Sequence, residues 1–206
     1  MVQPVQPFKW VGGALCLDFN NTVDWDHLTP SEGDRLADLT GLAAWGREAH
    51  LLSATDVRRL VTRQPRPADP RSTLQRAWEA RQTIHQIFYP VALGQRPAGK
   101  AVADLNGYLA QVPAQVVADG TNGFRWSWPP GPDAGTMVLW PVLWSAGQLL
   151  TSPGLVHLKT CANEHCGWLF VDASRKHNRR WCEMGVCGNR AKVRRFYQRR
   201  RTAGRA

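Results

Sequence analysis

Four of the five cysteines in this 206-residue chain form two pairs with the same internal gap. Cys161 and Cys166 enclose four residues, fifteen residues follow, and Cys182 and Cys187 again enclose four. Thiolates are soft ligands. Two short-gapped pairs across a returning loop can aim four of them at one point, the pattern of a structural zinc site. The expectation is one Zn²⁺ per chain. Four sulfurs fill a tetrahedral shell and leave no position for a reacting water, so the metal would fold the segment and not catalyse. Two other readings of the same residues stand beside it: His165 or His177 in place of one thiol, and a redox dithiol pair. Cys16 stands alone in an apolar run and is expected to be a buried core thiol.

The charge around these thiols is the second chemical signal. The chain carries a net charge of +10. Residues 1–158 hold 13 Lys and Arg against 13 Asp and Glu, whereas residues 159–206 hold 13 against Glu164, Asp172 and Glu183 alone. Zinc with four thiolates has a charge of −2, too small to neutralise such an excess. Two groups of cations result. Arg175, Lys176, Arg179 and Arg180 lie on the loop between the cysteine pairs; Arg190, Lys192, Arg194, Arg195 and Arg199 follow Cys187. Arg offers a planar fork to phosphate, so DNA is the expected partner, with RNA as the rival that a polar, Arg-rich finger fits equally well. The bland alternative is a solvated cationic face.

In a helix from about Arg190, Val193, Phe196 and Tyr197 share one arc, expected to pack on the zinc knuckles. Arg190, Arg194 and Arg201 fall beside that arc, and Lys192, Arg195 and Arg199 opposite it. Arg194, off the packing face in the first turns, is the candidate base reader. Some polar groups have structural readings instead: Asp172 pairing with Arg175 or Arg180, and Arg190 bonding carbonyls near the metal. Trp168 and Trp181, beside zinc ligands, are expected to be the finger's small core.

Further sites are sparse. Asp18, Asn21 and Thr22 leave an apolar run together; they either cap the next helix or line a pocket for an unknown small-molecule effector. His27, His50 and His85 are scattered, and no nucleophile motif or phosphate loop occurs, so an enzyme is not expected. Only a cluster of His27 with Asp18 and Asp24 would support an N-terminal enzyme targeted by the finger.

The elements that position these residues read as follows. Residues 8–19 resemble a strand, a Gly12-Gly13 turn and a second apolar run. Helical spacing marks residues 36–51, a short helix from Thr55 ended by Pro65, Pro67 and Pro70, a long helix over about 71–93, a helix from Ala101 and a buried helix over 136–151. Residues 114–128 alternate as a hairpin turning at Gly120–Gly123, with Trp126 and Trp128 on one core-facing side. GLVHLKTC reads as a strand leading to the first cysteine pair. The class is α+β: a mostly helical N-terminal domain with a small sheet over residues 1–155, a four-cysteine zinc finger ending in a basic helix over 156–201, and a disordered tail over 202–206. A hydrophobic share of 43% is enough for a core. The first residues lack a signal-peptide pattern, and the longest apolar stretch, interrupted by Pro141, is too short to span a bilayer. A cytoplasmic, nucleoid-associated protein without membrane contact is expected. The sequence sets neither the effector nor the oligomeric state.

The stretch CANEHCGWLFVDASRKHNRRWCEMGVCGNRAKVRRF resembles the CGNR zinc finger, named for four residues that stand here as Cys187-Gly188-Asn189-Arg190. Leu169-Phe170 with Asp172, Ser174-Arg175 and Arg179–Cys182 match the rest of its pattern. GGALCLDFNNT resembles the LCLDFxNT start of the ABATE domain that accompanies this finger, with Asn20 where an apolar residue is usual. The two resemblances cover nearly the whole chain. They imply a bacterial transcription regulator in which the finger binds DNA and the N-terminal domain senses an effector or mediates assembly.

Overall fold

The computed structural model describes residues 8–25, 33–62, 73–120, 122–131 and 133–203. The apolar run after Gly13 is a helix, α1 (Leu15–Asn20), and the strand expected before Gly12 is absent from the described residues 8–11. Cys16, Leu17 and Phe19 are all buried between α4 (Thr73–Ala92) and α6 (Ala134–Leu150). A short element enclosed on all sides shows no periodicity, so an apolar run of six does not reveal its type.

The remaining helices follow their sequence signals. Asp38 caps α2 (Leu39–Glu48) by accepting the Gly41 N–H at 2.8 Å, and Asp133 caps α6 through the Thr136 N–H at 2.8 Å. Ser53 and Asp56 form a reciprocal capping box at the start of α3 (Ala54–Thr62). Pro65, Pro67 and Pro70 lie outside the described residues. α5 (Gly99–Leu109) packs beside α4 and α6. Pro141 sits inside α6 without ending it, and that helix is buried on most sides. The main core gathers Leu17, Phe19, Trp45, Ile84, Phe88 and Val142 from four of these helices, with Phe19 edge-on to Trp45 at 4.9 Å.

β1 (Gln115–Asp119) and β2 (Gly123–Ser127) form the antiparallel hairpin, closed through Gly120 at φ +67°. Most of the hairpin is exposed, and the expected core-facing side is corrected to a partial contact of Trp126 on α6, with Trp128 half-buried. Trp126 is 42% exposed and lies against Trp144 at 4.8 Å, while Phe124 is 78% exposed. Alternation marks a two-faced strand, but a two-stranded ribbon has no layer to cover either face unless a helix packs on it.

The last part of the chain begins with a 3-10 turn, Pro153–His157, followed by β3 (Leu158–Thr160). β3 pairs antiparallel with β4 (Leu169–Val171), with Leu158 opposite Val171 and Thr160 opposite Leu169. β4 is a wall between two cores. Its period of two turns Leu169 and Val171 into the main helical core and Phe170, like Trp168 before it, into a smaller core around the four cysteines. The chain ends in α7 (Asn189–Ala203), which runs two residues beyond the expected end of the finger; residues 204–206 lie outside the described residues.

Candidate metal centre and cationic face

Each cysteine pair makes a tight knuckle. After Cys166 the chain turns through Gly167 at φ +63°, where a Cβ would meet the Trp25 Cβ at 2.6 Å and its carbonyl oxygen at 2.7 Å. Both reasons require glycine. After Cys182 the chain winds into a π-helical turn, Met184–Gly188, that presents Cys187 and runs straight into α7. A side chain at Gly188 would strike the Met184 sulfur at 2.4 Å, and the Asn189 amide donates to the Gly185 carbonyl at 2.9 Å. The Cys187-Gly188-Asn189 string is thus one ligand, one small residue against which Met184 lies, and one clamp on the turn.

The four Sγ atoms are buried and lie within 4.8 Å of one another. Cys166 Sγ is 3.7 Å from Cys182 Sγ, which is 3.6 Å from Cys187 Sγ. A disulfide needs about 2.05 Å. A tetrahedral shell with Zn–S of about 2.3 Å places its sulfurs roughly 3.8 Å apart, so this set fits one metal of the zinc type. His165 is an exposed neighbour of Glu164, and His177 stacks on His157 at 3.7 Å; neither belongs to the cluster. Hydrogen bonds from the other cysteines, Cys166 foremost, hold the Cys161 thiol well below its ordinary range, while the same sharing pushes the Cys166 thiol up. A dication bound among them would let all four ionise together. Two N–H groups also point at sulfur: the Cys182 amide at Cys161 Sγ, 3.5 Å, and the Asn163 side chain at Cys187 Sγ, 3.6 Å. Cys16 lies apart, fully buried, its thiol pushed up to about 12 by burial.

Residues 13–153 match the ABATE family, described as "Putative stress-induced transcription regulator", and residues 157–200 match the CGNR zinc finger. The chain belongs to the ABATE family and carries a CGNR zinc finger. No curated protein matches it.

In this ABATE protein the N-terminal segment and the finger are stitched together by polar groups that the sequence leaves ambiguous. Asn21, 3% exposed, donates Nδ2–H to the Leu169 carbonyl at 2.8 Å and accepts the Leu169 N–H on Oδ1 at 3.0 Å. Its amide acts as a peptide group paired to the free edge of β4. Thr22 donates to the Phe19 carbonyl and accepts from Arg81, which also pairs with Asp34. Asp18 accepts the Gly12 N–H at 2.7 Å, and burial pushes its carboxyl up to about 6 against hydrogen bonds from Gly12 and Val11 and the Arg179 charge. Asn21 thus faces the seam with the finger, Thr22 is tied within the N-terminal domain, and none of the three caps α2, whose cap is Asp38. Trp168 Nε1 bonds the Val23 carbonyl at 2.9 Å, the Trp25 N–H bonds the Cys166 carbonyl at 3.1 Å, and the Val171 N–H bonds the Gly12 carbonyl at 2.8 Å. Val11 and Trp25 pack directly on the cysteine core. His27 lies outside the described residues.

The loop cations divide. Arg175, Lys176 and Arg180 are exposed, Arg180 with its guanidinium 4.9 Å from the Trp181 ring centre. Arg179 is instead a strut: Nε donates to the Trp181 carbonyl at 3.0 Å, Nη2 to the carbonyls of Cys182 and of Val11 (3.1 Å to the latter), and the guanidinium lies 4.1 Å from the Phe170 ring centre. Arg179, and not Arg190, is the residue that binds carbonyls near the metal. Asp172 is fully buried and pairs with Lys159 at 2.7 Å, not with Arg175 or Arg180; it also accepts from Ser174 and the Arg179 N–H, which sets the loop's course. Burial alone would raise the Asp172 carboxyl, but the Lys159 and Ser174 hydrogen bonds hold it well below the usual carboxylate range.

On α7, Arg190, Lys192, Arg195 and Arg200 are exposed; the Arg199 and Arg201 side chains lie outside what is described. Arg194 bridges the metal knuckle, pairing with Glu164 and donating to Asn163 Oδ1 at 2.6 Å. Since Asn163 also bonds Cys187 Sγ, Arg194 links α7 to the ligand shell. Val193, Phe196 and Tyr197 are 54%, 56% and 60% exposed, so the arc expected to pack on the knuckles is open to solvent. Trp168, Trp181 and Phe170 occupy that place instead. Asn163 and Lys159 are the residues sequence reasoning missed. The position of Asn163 inside the first knuckle was the only available signal.

Proposed function

We propose that this protein is a DNA-binding transcriptional regulator whose metal is zinc and whose finger presents the DNA-contacting face. One observation supports the reading above all. The three acids of residues 159–206 have internal partners: Glu164 with Arg194, Asp172 with Lys159, and Glu183 with Lys9 at 3.2 Å. Arg175, Lys176, Arg180, Arg190, Lys192, Arg195 and Arg200 are exposed without an acidic partner among the described residues. A solvated face gains nothing by removing its own counter-charges; a phosphate-binding face does. Zinc would be held by Cys161, Cys166, Cys182 and Cys187, and closing their shell would fix both knuckles and the start of α7. The reading assigns no reaction to the chain. It gives the N-terminal domain the sensing or assembly role, with the Asn21–Leu169 pair as the path by which a change there reaches the metal core.

Salt titration of the zinc-loaded protein on duplex DNA tests it. If about five cations contact phosphates, log K falls against log salt with a slope of roughly −4 to −5. Salt-insensitive binding, or none at low salt, refutes the reading. Structured RNA that outcompetes duplex DNA at equal charge assigns the face to RNA.

A further inference from the structure

α7 exposes more apolar surface than a phosphate-binding helix requires. Val193, Phe196 and Tyr197 are exposed on α7, as are Met184 and Val186 on the π-helical turn, at 51% and 37%. Between turn and helix runs a groove of about 830 Å³, with Val186, Val193 and Tyr197 as its apolar lining and Arg190, Arg194 and Asn189 among its polar residues. Phe196 sits edge-on to Tyr197 at 5.7 Å, with the Arg200 guanidinium 5.7 Å from its ring centre. Such a patch marks a contact surface. Its charge selects the occupant. α7 carries seven cations and no acid, so a second copy laid along it would place like charges together. The complement is a polyanion that also offers flat apolar faces. Paired bases hide those faces in the stack; unpaired bases present them, and aromatic rings interleaved with Arg are the surface that binds them.

We propose that this groove takes an unpaired nucleobase of a DNA strand, stacked on Tyr197 against Val186 and Val193, with flanking phosphates on Arg190 and Arg200. The proposal rests on the nucleic-acid reading above and adds which conformation of the strand is recognised.

The test uses the full-length zinc-loaded protein and three fluorescein-labelled DNA probes of one sequence: a perfect duplex, the duplex with one central unpaired base, and the single strand. Anisotropy is expected to show tighter binding of the two probes with unpaired bases. Tyr197→Leu keeps an apolar side chain at an exposed helix position but removes the stacking face. It is expected to weaken binding of the unpaired probes by about 5- to 150-fold, with duplex affinity and salt slope unchanged, while Tyr197→Phe keeps the preference. Equal affinity for all three probes, or a uniform loss with Tyr197→Leu, overturns the inference but leaves the DNA reading standing. Failure of every probe to bind removes both. An RNA strand that binds more tightly than the DNA strand overturns the assignment to DNA.

Discussion

Asn21→Ala is the sharpest test of how the two parts of this protein are joined. The Asn21 amide satisfies both backbone groups of Leu169, at 2.8 and 3.0 Å, in a place where Asn21 is 3% and Leu169 0% exposed. Alanine leaves a buried N–H and a buried carbonyl without partners and no route for water. Each such orphan costs about 1–3 kcal/mol, and with partial relaxation the total should be about 3 kcal/mol. That is a large part of an ordinary stability of ~5–15 kcal/mol, and for a chain of this size lowers Tm by about 6–12 °C. Asn21→Asp sharpens the test. It keeps the acceptor for the Leu169 N–H but turns a second oxygen toward the Leu169 carbonyl, so at neutral pH it should be no better than alanine. Urea unfolding of the zinc-loaded variants gives the loss, and zinc competition with a chelator gives the coupling. Because Leu169 lies three residues from Cys166, weaker zinc binding should accompany lower stability. A loss under about 1 kcal/mol at unchanged m-value, or an Asp variant as stable as wild type, would refute the edge-pairing account.

Asp18→Asn tests the buried carboxyl. Its folded value of about 6 lies above the ordinary 3.8, so the folded state binds the extra proton and wild-type stability falls as pH rises from about 4 to 6 and stays lower above that window. Urea midpoints against pH should show this fall flattened in the variant; an unchanged profile would place the titration elsewhere. Arg179→Ala should cost about 2–4 kcal/mol in thermal melts through its three carbonyl partners, and Arg179→Lys should not restore it, because an ammonium lacks the fork. Arg180→Ala should leave the melt within about 1 kcal/mol but reduce the DNA salt slope by about one; a reversal of these two phenotypes contradicts the assignment of strut and contact. Stripping the metal should lower hydrogen-exchange protection at Trp168–Val171 and at Trp25 together, since Trp168, Phe170 and Trp25 pack on the cysteine core and the Trp25 N–H bonds the Cys166 carbonyl. Loss confined to residues 173–201 would mean the seam does not transmit the metal's contribution.

The metal set was legible because ligand chemistry is local: two knuckles of four intervening residues determine which sulfurs meet, wherever the rest of the chain lies. The helices were legible from their apolar spacing for the same reason, and the caps Asp38, Ser53 and Asp133, which that spacing does not show, act just as locally, on N–H groups three residues away. The net positive charge of the finger was also a matter of composition. What the cations do was not. Arg179 and Arg180 are neighbours of one residue type, yet one is bound by three carbonyls and the other faces solvent, because the loop's course depends on Asp172 and Lys159, thirteen residues apart in sequence. Asn21 looked like a cap because its partner, Leu169, is 148 positions away. The aromatic arc of α7 looked like a packing face because periodicity tells which residues share a side, and not whether anything covers it. Only the tertiary structure, which fills the cysteine core with Trp168, Phe170 and Trp181 and leaves no room there for α7, decided that Tyr197 points to solvent.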